Sequence, residues 1–139
     1  MPRQRFGQHF LHDQSVIDAI MAAFIAMPTQ HVIEIGGGLG ALTLPLLKRV
    51  NQLEVIEIDR DLATRLSQDC ASDNRLIIYN TDALKVDFAL LKKDERLLRI
   101  VGNLPYQITT PLIFHLLQYA SIVRDMLLMV QKEVAYRLA

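Results

Sequence analysis

The segment Asn103-Leu104-Pro105-Tyr106 carries the side chains of this sequence that are best suited to chemistry. Asn103 offers an amide with one acceptor oxygen and two donor hydrogens, and Pro105 biases Leu104 toward an extended backbone. Tyr106 adds a flat ring. Acceptors of this kind can take the N–H hydrogens of a planar base that has an exocyclic amine, while the ring stacks on the face of that base. The same residues would also form a strand-to-helix turn with an exposed tyrosine, so the preceding sequence has to decide between the two interpretations.

A glycine-rich loop follows the first apolar segment of the chain. The pattern Gly36-x-Gly38-x-x-Ala41 comes directly after residues 32–35, and Glu57 lies about 20 residues further on, where a ribose-binding acid belongs in dinucleotide-binding proteins. Glycines let a ligand approach the backbone closely, and the carboxylate can accept hydrogen bonds from a ribose diol. Nicotinamide cofactors and S-adenosylmethionine both contain adenosine. This pattern alone therefore leaves an oxidoreductase and a methyltransferase open.

Asp82 follows the third apolar segment. A carboxylate in that place can accept a hydrogen bond from an adenine amino group. For Asp82 and for Glu57 the alternative is a helix N-cap or a solvated turn. A metal site is disfavoured, because no cysteine cluster accompanies the four scattered histidines His9, His12, His31 and His115.

Strands and helices are predicted to alternate along the chain. Strands are expected over residues 32–35, 53–58, 76–79, 97–102 and 126–130. Helices are expected from a Ser15 cap to Pro28 and over residues 42–50, 61–70, 86–92 and 111–119, with a further helix from 133. This alternation indicates an α/β, Rossmann-like fold, a mostly parallel sheet with helices on both faces. Ligands of such folds lie beyond the carboxyl ends of the strands, where this sequence places the glycine loop, Glu57, Asp82 and Asn103.

The composition is that of one globular domain: 139 residues, 51% of them hydrophobic and 22% charged. Fifteen basic and fifteen acidic residues cancel, so attraction to a nucleic acid has to come from a local patch or from sequence outside this chain. The single Cys70 excludes an internal disulfide and suits a reducing compartment. The apolar segment 16–27 is interrupted by Asp18 and is too short to span a bilayer. We therefore expect a cytoplasmic protein with no membrane association.

Five motifs occur in an order that resembles ribosomal RNA adenine N6-dimethyltransferases. They are Gly7-Gln8-His9-Phe10-Leu11, Glu34-Ile35-Gly36-x-Gly38-x-Gly40, Glu57 before Asp59-Arg60-Asp61-Leu62, Asp82-Ala83-Leu84 and Asn103-Leu104-Pro105-Tyr106. The chain is most similar to the bacterial small-subunit (16S) branch, since the large-subunit enzymes of macrolide resistance usually have isoleucine in place of Leu104. The resemblance implies methyl transfer from S-adenosylmethionine to N6 of two adjacent adenosines in a hairpin near the 3′ end of 16S rRNA, within the small ribosomal subunit. It also implies a role in small-subunit biogenesis and a monomer that needs no metal.

The resemblance assigns roles to individual residues. The residues expected to bind S-adenosylmethionine are His9 and Leu11 at its methionine end, Gly36 and Gly38 along the loop, Glu57 at the ribose and Asp82 at the adenine. Asn103 is expected to contact both the cofactor and the target base. The catalytic segment is completed by Leu104, by Pro105 and by Tyr106, whose ring is expected to stack on that base.

Some features depart from the family pattern. His9 stands where the family often has asparagine, and Gly37 stands where it often has proline. Members of the family are about twice as long as this chain. We therefore expect residues 1–139 to be the catalytic domain only, incomplete after the fifth strand, with residues 1–14 forming an N-terminal arm. A ribosome assembly factor that no longer transfers methyl groups remains an alternative, because an intact site does not prove its use.

Overall fold

The fold is organised around one sheet of five strands, in a computed structural model that describes residues 14–130. The strands are β1 His31–Ile35, β2 Leu53–Ile56, β3 Leu76–Tyr79, β4 Leu98–Leu104 and β5 Val123–Val130. Their order across the sheet is β3-β2-β1-β4-β5, and every neighbouring pair is parallel. The chain therefore changes direction across the sheet between β1 and β4, which is where ligands bind in folds of this class.

One helix precedes the first strand, and others connect the strands. They are α1 Gln14–Phe24, α2 Thr43–Leu47, α3 Arg60–Asp69 and α4 Tyr106–Leu117, with short 3-10 helices at Ala83–Lys85 and Phe88–Leu90. Within residues 14–130, no helix has both the length and the apolar character needed to cross a bilayer. The predicted arm, apart from Gln14, and the predicted helix from 133 lie outside the described residues.

Two hydrophobic cores lie on opposite faces of the sheet. Successive residues of a strand point to opposite faces, so Val32 of β1 belongs to one core and Ile33 to the other. The first core packs α1, α2 and α3 on the sheet through Ile17, Ile20, Phe24, Leu46 and Leu66. The second packs α4 and the 3-10 helix Phe88–Leu90 through Leu112, Leu116 and Phe88. The predicted Rossmann-like fold, with a parallel sheet and helices on both faces, is confirmed.

The predicted start of α4 was wrong. The helix begins at Tyr106, directly after Pro105, whose φ of −61° and ψ of 150° are those of an extended N-cap residue, and Pro111 lies inside it. The buried residues Thr109, Leu112 and Leu116 recur at helical spacing, and their burial outweighs the hydrogen bond that Pro111 cannot make. The strand β4 also runs further than predicted, through Asn103 to Leu104, because β5 supplies pairing partners along its whole length.

Other boundaries also differ from prediction. Ser15 lies within α1 instead of capping it, and the helix ends at Phe24, before Ile25 with its left-handed φ of 50°. The helix α2 covers only residues 43–47, and β5 begins at Val123. In place of a helix over residues 86–92 there is a 3-10 helix at Phe88–Leu90, preceded by another at Ala83–Lys85. Asp87 and Asp82 each accept a hydrogen bond from the N–H two residues ahead, which competes with a longer helix.

Arg99 of β4 fastens the end of α1 to the sheet. Its guanidinium donates to the carbonyl oxygens of Phe24, at 2.6 Å, and of Ile25, at 3.1 Å, and it lies 4.0 Å above the Phe24 ring. The same group forms an ion pair with Asp125 of β5 at 2.9 Å. The side chain of Arg99 is buried, so a single residue links α1, β4 and β5.

Candidate active site

The glycine loop begins where β1 ends. Gly36 donates its N–H to the carbonyl oxygen of Ile56 at 2.7 Å, which ties the start of the loop to β2. Gly36, Gly38 and Gly40 have φ values of 79°, 55° and 89°, which side chains rarely adopt. Gly37 is crowded for a different reason, because a Cβ there would lie 2.7 Å from Cγ1 of Val55. Leu66 Cδ2 would be 3.0 Å from the same position. The loop backbone therefore lies directly on the core.

Glu57 follows β2 and is held against the loop. Its Oε1 accepts from the Gly38 N–H at 2.8 Å, and its Oε2 accepts from the Asp59 N–H at 2.9 Å. The residue is 5% exposed. Burial of the carboxylate raises the pKa of Glu57, opposed by the hydrogen bonds from Gly38 and Asp59. Two residues that the sequence assigned to one cofactor pocket are thus in direct contact.

Glu34 lies beneath the loop, in β1. Its Oε1 accepts from the Thr43 hydroxyl at 2.5 Å, and its Oε2 is buried with no hydrogen-bond partner. Burial raises the pKa of Glu34 to about 8, opposed by the Thr43 hydrogen bond and assisted by the negative charge of Glu57. Glu34 therefore carries a proton at neutral pH, and the two neighbouring carboxyl groups do not both bear charge.

Asp82 lies three residues after the end of β3 and caps a 3-10 helix. Its Oδ1 accepts from the Leu84 N–H at 2.9 Å. The capping alternative is thus realised for Asp82, and a contact with adenine would be an additional role. Nearby, the Asn80 amide donates to the carbonyl oxygens of Glu57, at 2.9 Å, and of Ile58, at 3.2 Å. Asn80 is not among the predicted site residues, although an amide just after a strand and two residues before Asp82 is a usable signal in the sequence.

Asn103 is the least satisfied polar side chain of the site. It is 5% exposed, and both its Oδ1 and its Nδ2 are buried without a hydrogen-bond partner. Leaving a buried polar group unpaired costs about 1–3 kcal/mol, so native structures rarely do so without a functional reason. A bound ligand with both donor and acceptor atoms would complete this amide. The structure thus fits a polar cofactor or base at the position of Asn103.

Leu104 connects the glycine loop to the catalytic segment. Its buried side chain lies against the loop, since a Cβ at Gly36 would be 2.9 Å from Leu104 Cδ2. A Cβ at Gly102 would be 2.7 Å from the Ile35 carbonyl oxygen, so the backbones of β1 and β4 approach closely at this edge. Tyr106 begins α4 and is 52% exposed, which leaves its ring accessible for stacking.

His9 and Leu11 lie outside the described residues. His31 is hydrogen-bonded to Glu54, and His115 Nε2 lies 2.7 Å from the Val86 carbonyl oxygen. Over residues 14–130, no group of three or more His, Cys, Asp or Glu side chains is arranged to hold a metal ion.

Comparison with known proteins identifies the family. A family model described as ribosomal RNA adenine dimethylase matches residues 2–139. The chain belongs to the ribosomal RNA adenine dimethylase family. It is 53% identical to a protein of Nitrosococcus oceani named ribosomal RNA small subunit methyltransferase A, over 99% of this chain and 52% of the relative. A Pseudomonas syringae pv. syringae protein of the same name is 55% identical over 99% of this chain and 51% of its own length. The chain thus spans about half the length of the curated relatives it matches.

Solved structures agree with this family. A dimethyladenosine transferase from Plasmodium falciparum superposes with a TM-score of 0.71 at 32% identity, over 91% of this chain and 45% of that protein. The 23S rRNA methyltransferase ErmE superposes with a TM-score of 0.74 at 27% identity, over 89% of this chain and 48% of ErmE. Family membership removes the basis for the oxidoreductase alternative, which rested on the glycine pattern and Glu57 alone.

Proposed function

We propose that this chain is the catalytic part of an enzyme that transfers methyl groups from S-adenosylmethionine to N6 of two adjacent adenosines near the 3′ end of 16S rRNA. The observation that carries the proposal is Asn103, a buried amide without a partner beside the glycine loop. The relatives named small subunit methyltransferase A support the choice of ribosomal RNA in the small subunit. From the similarity to these relatives we also propose that the full-length protein is a cytoplasmic monomer with a role in small-subunit biogenesis.

The residues that would hold the cofactor are Gly36, Gly38, Glu57, Asp82 and Asn103, with His9 and Leu11 in the proposed N-terminal arm. S-adenosylmethionine supplies a methyl group on a positively charged sulfur. A carboxylate offers about four lone-pair positions, and the two N–H bonds to Glu57 leave acceptor capacity for ribose hydroxyls. Burial raises the pKa of Glu34 to about 8, so this neighbouring carboxyl group adds no negative charge beneath the loop at neutral pH.

The chain's own residues would orient the target amine. The N6 lone pair of adenine is delocalised into the ring and is a weak nucleophile until both N6 hydrogens are held by acceptors. Asn103 Oδ1 would be the first acceptor. The Pro105 carbonyl already accepts from the Ile108 N–H at 3.1 Å and the Thr109 hydroxyl at 3.0 Å, so we assign the second acceptor to the Leu104 carbonyl. Tyr106 would stack on the base, and this positioning lowers the barrier. N6 becomes positively charged and acidic on receiving the methyl group, so its proton can pass to water afterwards without a tuned general base.

The similarity to ErmE favours one second candidate, methylation of large-subunit rRNA. The two candidates differ in substrate, so assays on undermethylated small subunits and on large subunits distinguish them. We expect transfer to the small subunit only. An assembly factor without activity would bind the small subunit and transfer no methyl group.

The test compares Asn103→Ala with Asn74→Ala, a change at an exposed asparagine, in this chain extended to the length of its relatives. Loss of an acceptor that holds the reacting group should lower the single-turnover rate on undermethylated small subunits by roughly 100-fold for Asn103→Ala. The Kd for S-adenosylmethionine, measured by calorimetry, should change by less than about 10-fold, and Asn74→Ala should match the parent in both. An Asn103→Ala rate near that of the parent would contradict the assignment.

A further inference from the structure

We propose that Thr109 is a positioning residue for the catalytic segment, residues 103–106: its buried hydroxyl holds the Pro105 carbonyl and thereby orients the Leu104 carbonyl and the Tyr106 ring. This inference rests on the proposed function. Thr109 touches neither reacting atom and acts through Pro105.

The contact is buried and well formed. Thr109 is 5% exposed, and its hydroxyl donates to the Pro105 carbonyl oxygen at 3.0 Å. The same oxygen accepts from the N–H of Ile108 at 3.1 Å and from the N–H of Thr109 at 3.3 Å. Three donors thus converge on one carbonyl, and they restrict the rotation of the peptide unit between Pro105 and Tyr106.

The hydrogen bonds to the Pro105 carbonyl add to the conformational restriction that the proline ring itself imposes. The ring of Pro105 fixes its φ, at −61°, and so sets the relation between the Leu104 carbonyl and the residue that follows. Proline does not fix ψ. The ψ angle of Pro105, which is 150°, sets the direction of its carbonyl, and the Thr109 hydroxyl donates a hydrogen bond to that carbonyl. Both backbone rotations at Pro105 are therefore restrained, φ by the covalent ring and ψ by the Thr109 hydroxyl together with two backbone N–H groups of α4.

The residues on either side of Pro105 depend on this restraint to different degrees. Leu104 is already anchored, because its side chain is buried against Gly36. Tyr106 is 52% exposed, so packing restrains its ring less. As the first residue of α4, Tyr106 takes its direction from the peptide unit that Thr109 holds.

The stability of α4 does not explain why residue 109 carries a hydroxyl group. The backbone N–H groups of Ile108 and Thr109 already bond to the Pro105 carbonyl without it. A threonine bonded back to the carbonyl four residues earlier slightly destabilises and bends a helix, and valine would fill the same buried volume. The hydroxyl is better explained by its effect on the direction of the carbonyl.

The neighbouring Thr110 provides a matched control, since it is the same residue type on the exposed side of α4. We would compare Thr109→Val, Thr109→Ala, Thr109→Ser and Thr110→Val in the chain extended to the length of its relatives. The measurements are the single-turnover rate on undermethylated small subunits, the Kd for S-adenosylmethionine by calorimetry and the melting temperature. Thr109→Ala repeats the loss of the hydroxyl without placing a methyl group against the carbonyl.

We expect Thr109→Val and Thr109→Ala to lower the rate by about 10- to 100-fold, since small misplacements of reacting groups have effects of this size. Their Kd for S-adenosylmethionine should stay within about 2-fold of the parent, because the proposed cofactor contacts lie after β1, β2 and β3 and at Asn103 of β4, which precedes the peptide unit that Thr109 holds. Thr109→Ser should restore the rate, and Thr110→Val should leave it unchanged.

Two results would overturn this inference without affecting the proposed function. The first is a parent-like rate in both Thr109→Val and Thr109→Ala. The second is a joint loss of rate, cofactor affinity and melting temperature in these variants, which would indicate that Thr109 is merely a structural residue. If the parent protein itself transfers no methyl group, the proposed function and this inference both fail. The activity of the parent therefore distinguishes the two failures.

Discussion

Asp82 and Asp87 allow cofactor binding to be separated from helix capping. Each aspartate precedes a 3-10 helix and accepts a hydrogen bond from the N–H two residues ahead, Leu84 at 2.9 Å and Ala89 at 3.0 Å. Their structural roles are therefore the same, whereas only Asp82 lies close to the carboxyl end of a strand, three residues after β3. We predict that substitutions at the two positions have similar effects on stability and different effects on affinity for S-adenosylmethionine.

The expected magnitudes follow from these contacts. Asp82→Ala and Asp87→Ala each remove one capping hydrogen bond, which should lower the free energy of unfolding by about 0.5–2 kcal/mol. Asp82→Ala also removes the proposed acceptor for the adenine amino group. Loss of that contact should cost about 1–3 kcal/mol of binding, a rise in Kd of roughly 5- to 150-fold. Asp82→Asn should keep the cap, since asparagine caps as well as aspartate, but should still weaken binding.

The assay is calorimetric titration with S-adenosylmethionine well below the melting temperature of every variant, with denaturant unfolding on the same samples. Asp87→Ala supplies the baseline for a lost cap. If Asp82→Ala and Asp87→Ala bind the cofactor with the same Kd, Asp82 is a cap only, and its place in the cofactor site has to be abandoned.

Three further predictions concern the loop, the α1 anchor and the buried acid. Glu57→Ala should weaken S-adenosylmethionine binding by roughly 1–3 kcal/mol in the same titration, and unchanged affinity would remove Glu57 from the site. Arg99→Ala should lower the free energy of unfolding by roughly 2–4 kcal/mol, because a charged donor to two carbonyls and an ion pair are lost. The control Arg96→Ala, which breaks the exposed ion pair with Asp94, should lower it much less. Equal losses in the two variants would refute the role of Arg99 as an anchor of α1. The folded-state pKa of Glu34, about 8, exceeds its ordinary value of 4.5, so the folded state binds more protons between these values and stability should fall as pH rises from 4.5 to about 8. Denaturant unfolding at several pH values should show this fall in the parent and less of it in Glu34→Gln; parallel curves would show that Glu34 is not the source.

The sequence predicts the sheet well, because short apolar segments separated by helices leave few other arrangements. It predicts α4 less well, because the preference for proline at a helix start applies to the wrong proline. Pro105 ends an extended segment and precedes the helix, whereas Pro111 lies within it. Only the packing of Leu112 and Leu116 against the sheet shows that the helix continues through Pro111. That information comes from tertiary structure, which spacing along the chain does not contain.

The candidate site, too, could be predicted only in part from the sequence. Parallel strands bring their carboxyl ends to one edge, so the sequence could place the glycine loop, Glu57, Asp82 and Asn103 together. It could not show that the Glu57 carboxylate holds the Gly38 N–H, because this depends on the φ and ψ angles of the loop. Nor could it show that the Asn103 amide has no partner, which is a property of its whole surroundings. The roles of the site residues stay predictions.

The crowding at Gly37 has a consequence for protein engineering. A loop that carries proline in place of Gly37 could not be introduced alone, since the added ring would meet Val55, a side chain with little rotational freedom, and Leu66. A chimaera with a junction between residues 37 and 55 would combine a loop and a strand that were never selected together. The recombination unit is therefore the whole segment from the loop through β2 and α3, and a successful exchange has to transfer it in one piece.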